Sequence, residues 1–275
     1  MKYLSKIVLL SLCLIIDLYA QDKYLFLSSE DLKHGFHHTK HSEIFSKYCD
    51  GYNLEILKAI DTVQKSAPDG GGYFIGIKAN PPESPIGYDL KLLGSKLIDA
   101  PRKTSYCSGA SYSVFIEALN LIFKDKYNSL PESLVEIMRM QEKDGSRRED
   151  DVKFWGIWNT NGFGSHFALA QYSGMGKQVF PAEARPGDFV NISWKNGNGH
   201  STVFLGWYID EDKDTNIVYF SSQKATNGLG DQIVDIKSIK DVMFVRLTNP
   251  ERLFEGIFCE DIKRDIKGEL LFTDK

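Results

Sequence analysis

Cys107 lies in Thr104-Ser-Tyr-Cys-Ser-Gly-Ala-Ser-Tyr-Ser-Val-Phe-Ile, where a loop of small and polar residues runs into an apolar helix. A thiol that opens a helix faces unpaired backbone N–H groups and the positive end of the dipole, so a lowered pKa and a raised thiolate fraction are expected. Such a nucleophile needs a base. His200 is the candidate: it follows Arg185-Pro-Gly-Asp-Phe-Val-Asn-Ile-Ser-Trp and the turn Asn196-Gly-Asn-Gly, and it begins Ser201-Thr-Val-Phe-Leu-Gly-Trp.

The elements that must position this pair follow from periodicity and punctuation. Between Ser42 and Ser66 apolar residues recur at helical intervals from Ile44 to Val63, with Gly51 dividing the stretch into one or two helices. Gly70-Gly-Gly breaks the chain, Tyr73-Phe-Ile is a short strand candidate, and the prolines after Asn80 predict extended loop. From Cys107, Tyr112, Phe115, Ile116, Leu119 and Phe123 mark a helix with a broad buried face, and another helix starts near Pro131. Trp155-Gly-Ile-Trp-Asn-Thr-Asn-Gly-Phe-Gly-Ser-His is a Gly/Asn/Trp-rich connection whose rings, Trp155 and Trp158, either wall a cleft or cap the core. His166, at its end, is a second histidine that such a cleft would bring near. After Pro186 the pattern turns to strands at 189–194, 201–209, 217–223 and 242–247, separated by turn residues. Helices first and an antiparallel sheet afterwards make the fold class α+β.

Composition sets the boundaries. The first 20 residues join a basic start to an apolar run from Ile7 to Ile16 and end in Leu18-Tyr-Ala, which reads as a signal peptide and an exported product with no stable membrane insertion. The chain has 275 residues, 42% of them hydrophobic, enough for one core. A formal charge of −4 leaves no basic footprint for nucleic acid. Beyond the signal three cysteines remain, so Cys107 is a free thiol whether Cys49 and Cys259 pair or stay apart as buried thiols. His34, His37, His38 and His41 cluster in one segment, yet no carboxylate or cysteine set at zinc spacing accompanies them; the segment reads as polar chain, with no metal and no cofactor expected.

Cys-Ser-Gly at a helix start, Arg-Pro-Gly-Asp-Phe-Val, and Gly-His-Ser-Thr-Val-Phe-Leu-Gly resemble the NlpC-type and CHAP-type cell-wall cysteine hydrolases of the papain-like superfamily, over about residues 100 to 225. The resemblance implies a papain-like domain at 71–275 behind a helical extension at 21–70, with Cys107 as nucleophile and His200 as base. It implies a polar residue on the next strand that orients the imidazole. That position falls on Ser222 or Gln223, with Asn227 in the following turn as a further candidate, and here the sequence departs from the usual His, Asn, Asp or Glu. Gln223 suits the role through its amide oxygen, and Ser222 points to the opposite face of the strand. The oxyanion would take the Cys107 N–H and a donor from Thr104 to Tyr106. Amide bonds of peptidoglycan peptides are the implied substrate. A Cys/His acyltransferase or transglutaminase-like enzyme, and an inactive cell-wall-binding relative, are the alternatives.

Overall fold

The computed structural model describes residues 24–271 apart from 77–78, 81–84, 101, 127–128, 149, 151, 159–161, 257 and 259–261. The segment 1–20, expected to be a signal peptide, and Cys259 lie outside the described residues; Cys49 is a free thiol.

Helices come first. The short helix α1 (His41–Phe45) passes through a 3-10 turn to Gly51, whose φ of +56° separates it from α2 (Asn53–Ser66). A small hairpin, β1 (Leu90–Leu92) and β2 (Ser95–Ile98), precedes α3 (Cys107–Phe123) and α4 (Glu132–Met138). Every residue from Ser108 to Ile116 is buried, so α3 is the interior helix that its all-round apolar character predicts. Two of its serines do not offset that, because Ser111 and Ser113 hydrogen-bond within the helix and Ser111 also meets Ser201 Oγ at 2.7 Å, while the buried Ser108 hydroxyl has no hydrogen bond. Gly109 lets the chain at Pro85 press onto the helix: a Cβ there would stand 1.8 Å from the Pro85 carbonyl oxygen.

The second half is a six-stranded antiparallel sheet in the order β3-β8-β4-β5-β6-β7, made of β3 (Gly176–Val179), β4 (Phe189–Trp194), β5 (Gly199–Ile209), β6 (Thr215–Gln223), β7 (Gly228–Asp235) and β8 (Ile239–Leu247). Val203, Leu205, Val218 and Phe220 face the helices, while Phe204, Trp207, Ile217 and Tyr219 face a second cluster with Val190 and Phe244. Burial on both faces explains why these strands read as apolar runs. The α+β class is as expected from the sequence.

Several expectations change. Tyr73 makes one bridge to Ser105 rather than a strand. The Gly-rich connection ends in a helical segment, α5 (Gly164–His166), that continues as a π-helical turn over Phe167–Tyr172. Within the expected extension, α2 packs into the main core: Ile56, Leu57, Ala59, Ile60 and Val63 are fully buried in the cluster that holds α3. Each of the larger side chains among them contributes about 1.5–3 kcal/mol.

The Pro-Gly-Asp turn is an anchor. Asp188 is fully buried, accepts two bonds of 2.8 Å from Arg246 on β8 and one of 2.9 Å from Asn53 at the start of α2, and closes its own turn by accepting from Arg185 N. One carboxylate thereby fixes where β4 leaves the turn relative to α2 and β8.

Candidate active site

Cys107 is the first residue of α3, after Tyr106 in extended conformation, and His200 is the second residue of β5. The two open onto one cavity of about 830 Å³, whose walls include Tyr73, Ile75, Ile157, Trp158, Trp194 and Tyr219. That volume lies within the range of small-molecule and peptide sites. Among the described lining residues Lys224 is the sole lysine or arginine and no carboxylate is present, so the walls are aromatic and apolar with an amide rim at Asn196, Asn198, Gln223 and Gln232.

The helix brings the thiol to the sheet at Ser201. Backbone N–H groups of Ser201, Ser108 and Cys107 itself favour a charged sulfur, yet burial outweighs them and pushes the Cys107 thiol above its usual value. Burial likewise draws the His200 imidazole down to about 4, against the opposing pull of Gln223. This corrects the expectation of a lowered thiol pKa. Both shifts favour the uncharged forms, a thiol and a neutral imidazole, over an ion pair.

The three candidates for an orienting residue separate cleanly. Continuing the register that pairs Val203 with Phe220 sets Gln223 opposite His200. The Gln223 amide nitrogen donates to Thr226 Oγ1 at 2.6 Å and to the Gly230 carbonyl at 3.1 Å, which leaves its oxygen buried and without a hydrogen bond, as is His200 Nε2. Gln223 lies close enough to favour the protonated ring. Ser222 is fully buried on the other face and accepts from Ser105 Oγ at 2.8 Å. Asn227 is an exposed left-handed turn residue, φ +50°, whose amide reaches toward Asp69. Of the three, only Gln223 lines the cavity.

The other predicted positions divide. Trp158 lines the cavity, stands edge-on to His166 at 4.7 Å and carries the Arg264 guanidinium 4.7 Å from its ring. Trp155 does not reach the cleft: it is fully buried, stacked on Phe115 at 5.0 Å, and donates to Ser111 Oγ. In the loop before the cysteine, Ser105 N–H is taken by Gly72 O and Tyr106 N–H by Pro85 O at 3.4 Å, so neither is a free oxyanion donor. Thr104 is half-buried. His166 holds Asn191 Oδ1 at 2.7 Å and accepts from Arg264, and burial lowers its pKa to about 3. It is a wedge between α5 and the sheet.

Sequence reasoning named Tyr106 but missed Tyr73 and Tyr219, which line the cavity with the thiol. Burial and the charge of a Cys107 thiolate push the Tyr73 hydroxyl up to about 12, and the same two influences raise Tyr106 and Tyr219. Tyr219 also stands edge-on to His200 at 5.3 Å. Gln232, opposite Tyr219 on β7, adds an amide whose buried oxygen has no hydrogen bond. No spacing signal announces these residues, which arrive from separate segments of the chain. Comparison of the chain with protein-family models, with curated proteins and with solved structures yields no match, and the functional reading rests on the geometry of the site.

Proposed function

We propose that this protein is an exported cysteine hydrolase with a papain-like, NlpC-type site that cleaves amide bonds in peptidoglycan peptides. The observation that carries the proposal is the meeting, in one aromatic cavity, of a thiol at a helix start, an imidazole at a strand start and an amide whose nitrogen is tied down while its buried oxygen is unbonded and which favours the protonated ring. Because thiol and imidazole rest uncharged, the proton moves as the bond forms. Cys107 Sγ attacks the amide carbonyl while His200 takes the thiol proton, and Gln223 Oε1 accepts from the imidazolium. The oxyanion takes the Cys107 backbone N–H and the Tyr73 hydroxyl. His200 then gives its proton to the leaving amine, which leaves a thioester. Water attacks the thioester, His200 accepts its proton, and collapse releases the carboxylic acid and returns the proton to the sulfur.

Uncharged aromatic walls favour sugar faces and extended peptides over polyanions. Purified sacculi incubated with wild type and with Cys107→Ala, followed by mass analysis, test the proposal. Released peptides and new free amines are expected with wild type alone; cleaved glycan strands, or equal product profiles from the two proteins, overturn it. Products joined to an added amine in preference to water identify an acyltransferase instead.

A further inference from the structure

The histidines of residues 34–41 have no carboxylate beside them in sequence at a metal-ligand spacing, but the fold supplies two. His41 opens α1 with its ring fully buried: Nδ1 lies 2.8 Å from Asp61 Oδ1 on α2, and Nε2 lies 2.9 Å from Asp231 Oδ1 on β7. The second Asp231 oxygen is 3.0 Å from His38 Nε2. One ligand atom from each of His38, His41 and Asp231 falls within 4.8 Å of the others.

Three features decide what this cluster can hold. Two imidazole nitrogens and a carboxylate suit a borderline divalent cation such as zinc. Around tetrahedral zinc, neighbouring ligand atoms stand about 3.3 Å apart, so a set whose atoms lie within 4.8 Å of one another, each ring nitrogen 2.9 or 3.0 Å from its own Asp231 oxygen, needs adjustments of at most about 1.5 Å. Asp61 is the second feature. It accepts from His41 Nδ1, from the His41 backbone N–H at 2.8 Å and, on its other oxygen, from Ser42 Oγ at 2.7 Å. A carboxylate on the far nitrogen is what fixes the tautomer and direction of a ligating histidine, here with Nε2 toward Asp231. The third is a cavity of about 40 Å³ beside the carboxylate, lined in part by Gly35, Phe36, His38, Val218 and Asp231. A water needs roughly 10–15 Å³ of such space, so the cavity admits water as a fourth ligand.

We propose that His38, His41 and Asp231 bind a divalent transition-metal cation, zinc by this ligand set, with Asp61 orienting His41 and one water completing the coordination. The ion fastens the N-terminal segment to β7. None of the three ligands lines the Cys107 cavity, so the proposal stands apart from the hydrolase reading.

Protons on His41 satisfy the same carboxylates, and the experiment separates the two states. Untagged protein carrying Cys107→Ala, so that the cavity thiol contributes nothing, is stripped with chelator, dialysed and titrated with Zn²⁺ by calorimetry. Co²⁺ is added in parallel and its visible absorption recorded. One zinc per chain with Kd of about 1 μM or tighter is expected, with a tetrahedral cobalt spectrum. His38→Gln should weaken binding about tenfold or more, and His34→Ala should leave it unchanged. The His38 side chain is 9% exposed and held by Asp231 at Nε2 and by the Lys40 backbone N–H, which donates to Nδ1 at 3.2 Å, so an unchanged far-ultraviolet circular dichroism spectrum checks that its variant is folded. Absence of stoichiometric zinc binding at about 10 μM metal, or equal affinity in His38→Gln, overturns the proposal and makes the cluster a proton-held clamp.

Discussion

At Cys107 two influences oppose each other, and their relative size decides how the residue reacts. The helix start and three backbone N–H groups favour the thiolate, while desolvation raises the thiol above its usual range and lowers His200 to about 4. Iodoacetamide should therefore label Cys107 at pH 7 more slowly in the folded protein than in urea, and the folded rate should keep rising through the ordinary thiol range near about 8.5. His200→Ala should change that rate little, since the imidazole is neutral there. Labelling at pH 6 that outruns the unfolded reference would show a preformed ion pair instead. At this scale the sequence is informative about Cys107, His200 and Gln223, because a helix start and a strand register are local facts. Tyr73, Tyr219 and Gln232 are not legible in it, since each reaches the cavity through tertiary packing. The direction of the thiol pKa is hidden for the same reason: the dipole is visible in sequence and burial is not.

Among the elements, the turn that delivers β4 and β5 depends on one buried ion pair. Asp188 is 0% exposed and joined to Arg246, Asn53 and its own turn, so removing the carboxylate leaves the buried guanidinium with only the exposed Asp50 carboxylate and the Glu183 carbonyl. Asp188→Ala should cost about 3–5 kcal/mol, measured as a shift in the urea midpoint at neutral pH. A loss below about 1 kcal/mol would mean that the bonds Arg246 already makes to Asp50 and to the Glu183 carbonyl suffice. The motif's aspartate thus acts through architecture, and a variant that lowers activity only in proportion to the folded fraction would agree. The helices at 53–66, 107–123 and 132–138 and four of the sheet strands are legible because period and punctuation coincide. β7 is not: it opens Gly228-Leu-Gly, which reads as a loop, and the fold needs Gly228 because a Cβ there would stand 2.0 Å from the Gly70 carbonyl oxygen. The helical turn at 164–172 is hidden by the glycines before it.

Across the whole molecule, burial of uncharged histidines sets how stability responds to acid. His200 and His166 have folded pKa values of about 4 and about 3, against 6.5 for the free side chain. Both are lowered, so below pH 6.5 the unfolded chain takes up protons that the folded chain refuses, and stability falls as pH drops through this window. His200 is faced by Gln223, Tyr219 and Trp194, and His166 by Asn191, Arg264 and Trp158, so among the described residues no carboxylate contacts either ring to restore the charge. His41 acts in the opposite sense: burial opposes its charge, but Asp231 and Asp61 outweigh burial and raise it to about 9. Its contribution is complete below 6.5 and adds no slope there. Asp31, lowered to about 2, and the lowered Asp61 and Asp231 lose their contributions only below the usual carboxylate range. Between pH 6.5 and about 4.5 the two neutral histidines lower stability as pH falls, each by at most about 1.4 kcal/mol per pH unit, while Asp188, raised by burial, acts in the opposite sense above the usual carboxylate range. Urea denaturation followed across this range should show the midpoint falling with pH in the wild type. His166→Gln, which keeps a polar group between Asn191 and Arg264 but cannot titrate, should remove about half of the slope. An unchanged slope in that variant would mean that His166 takes its proton in the native state, and that the wedge between α5 and the sheet opens to water.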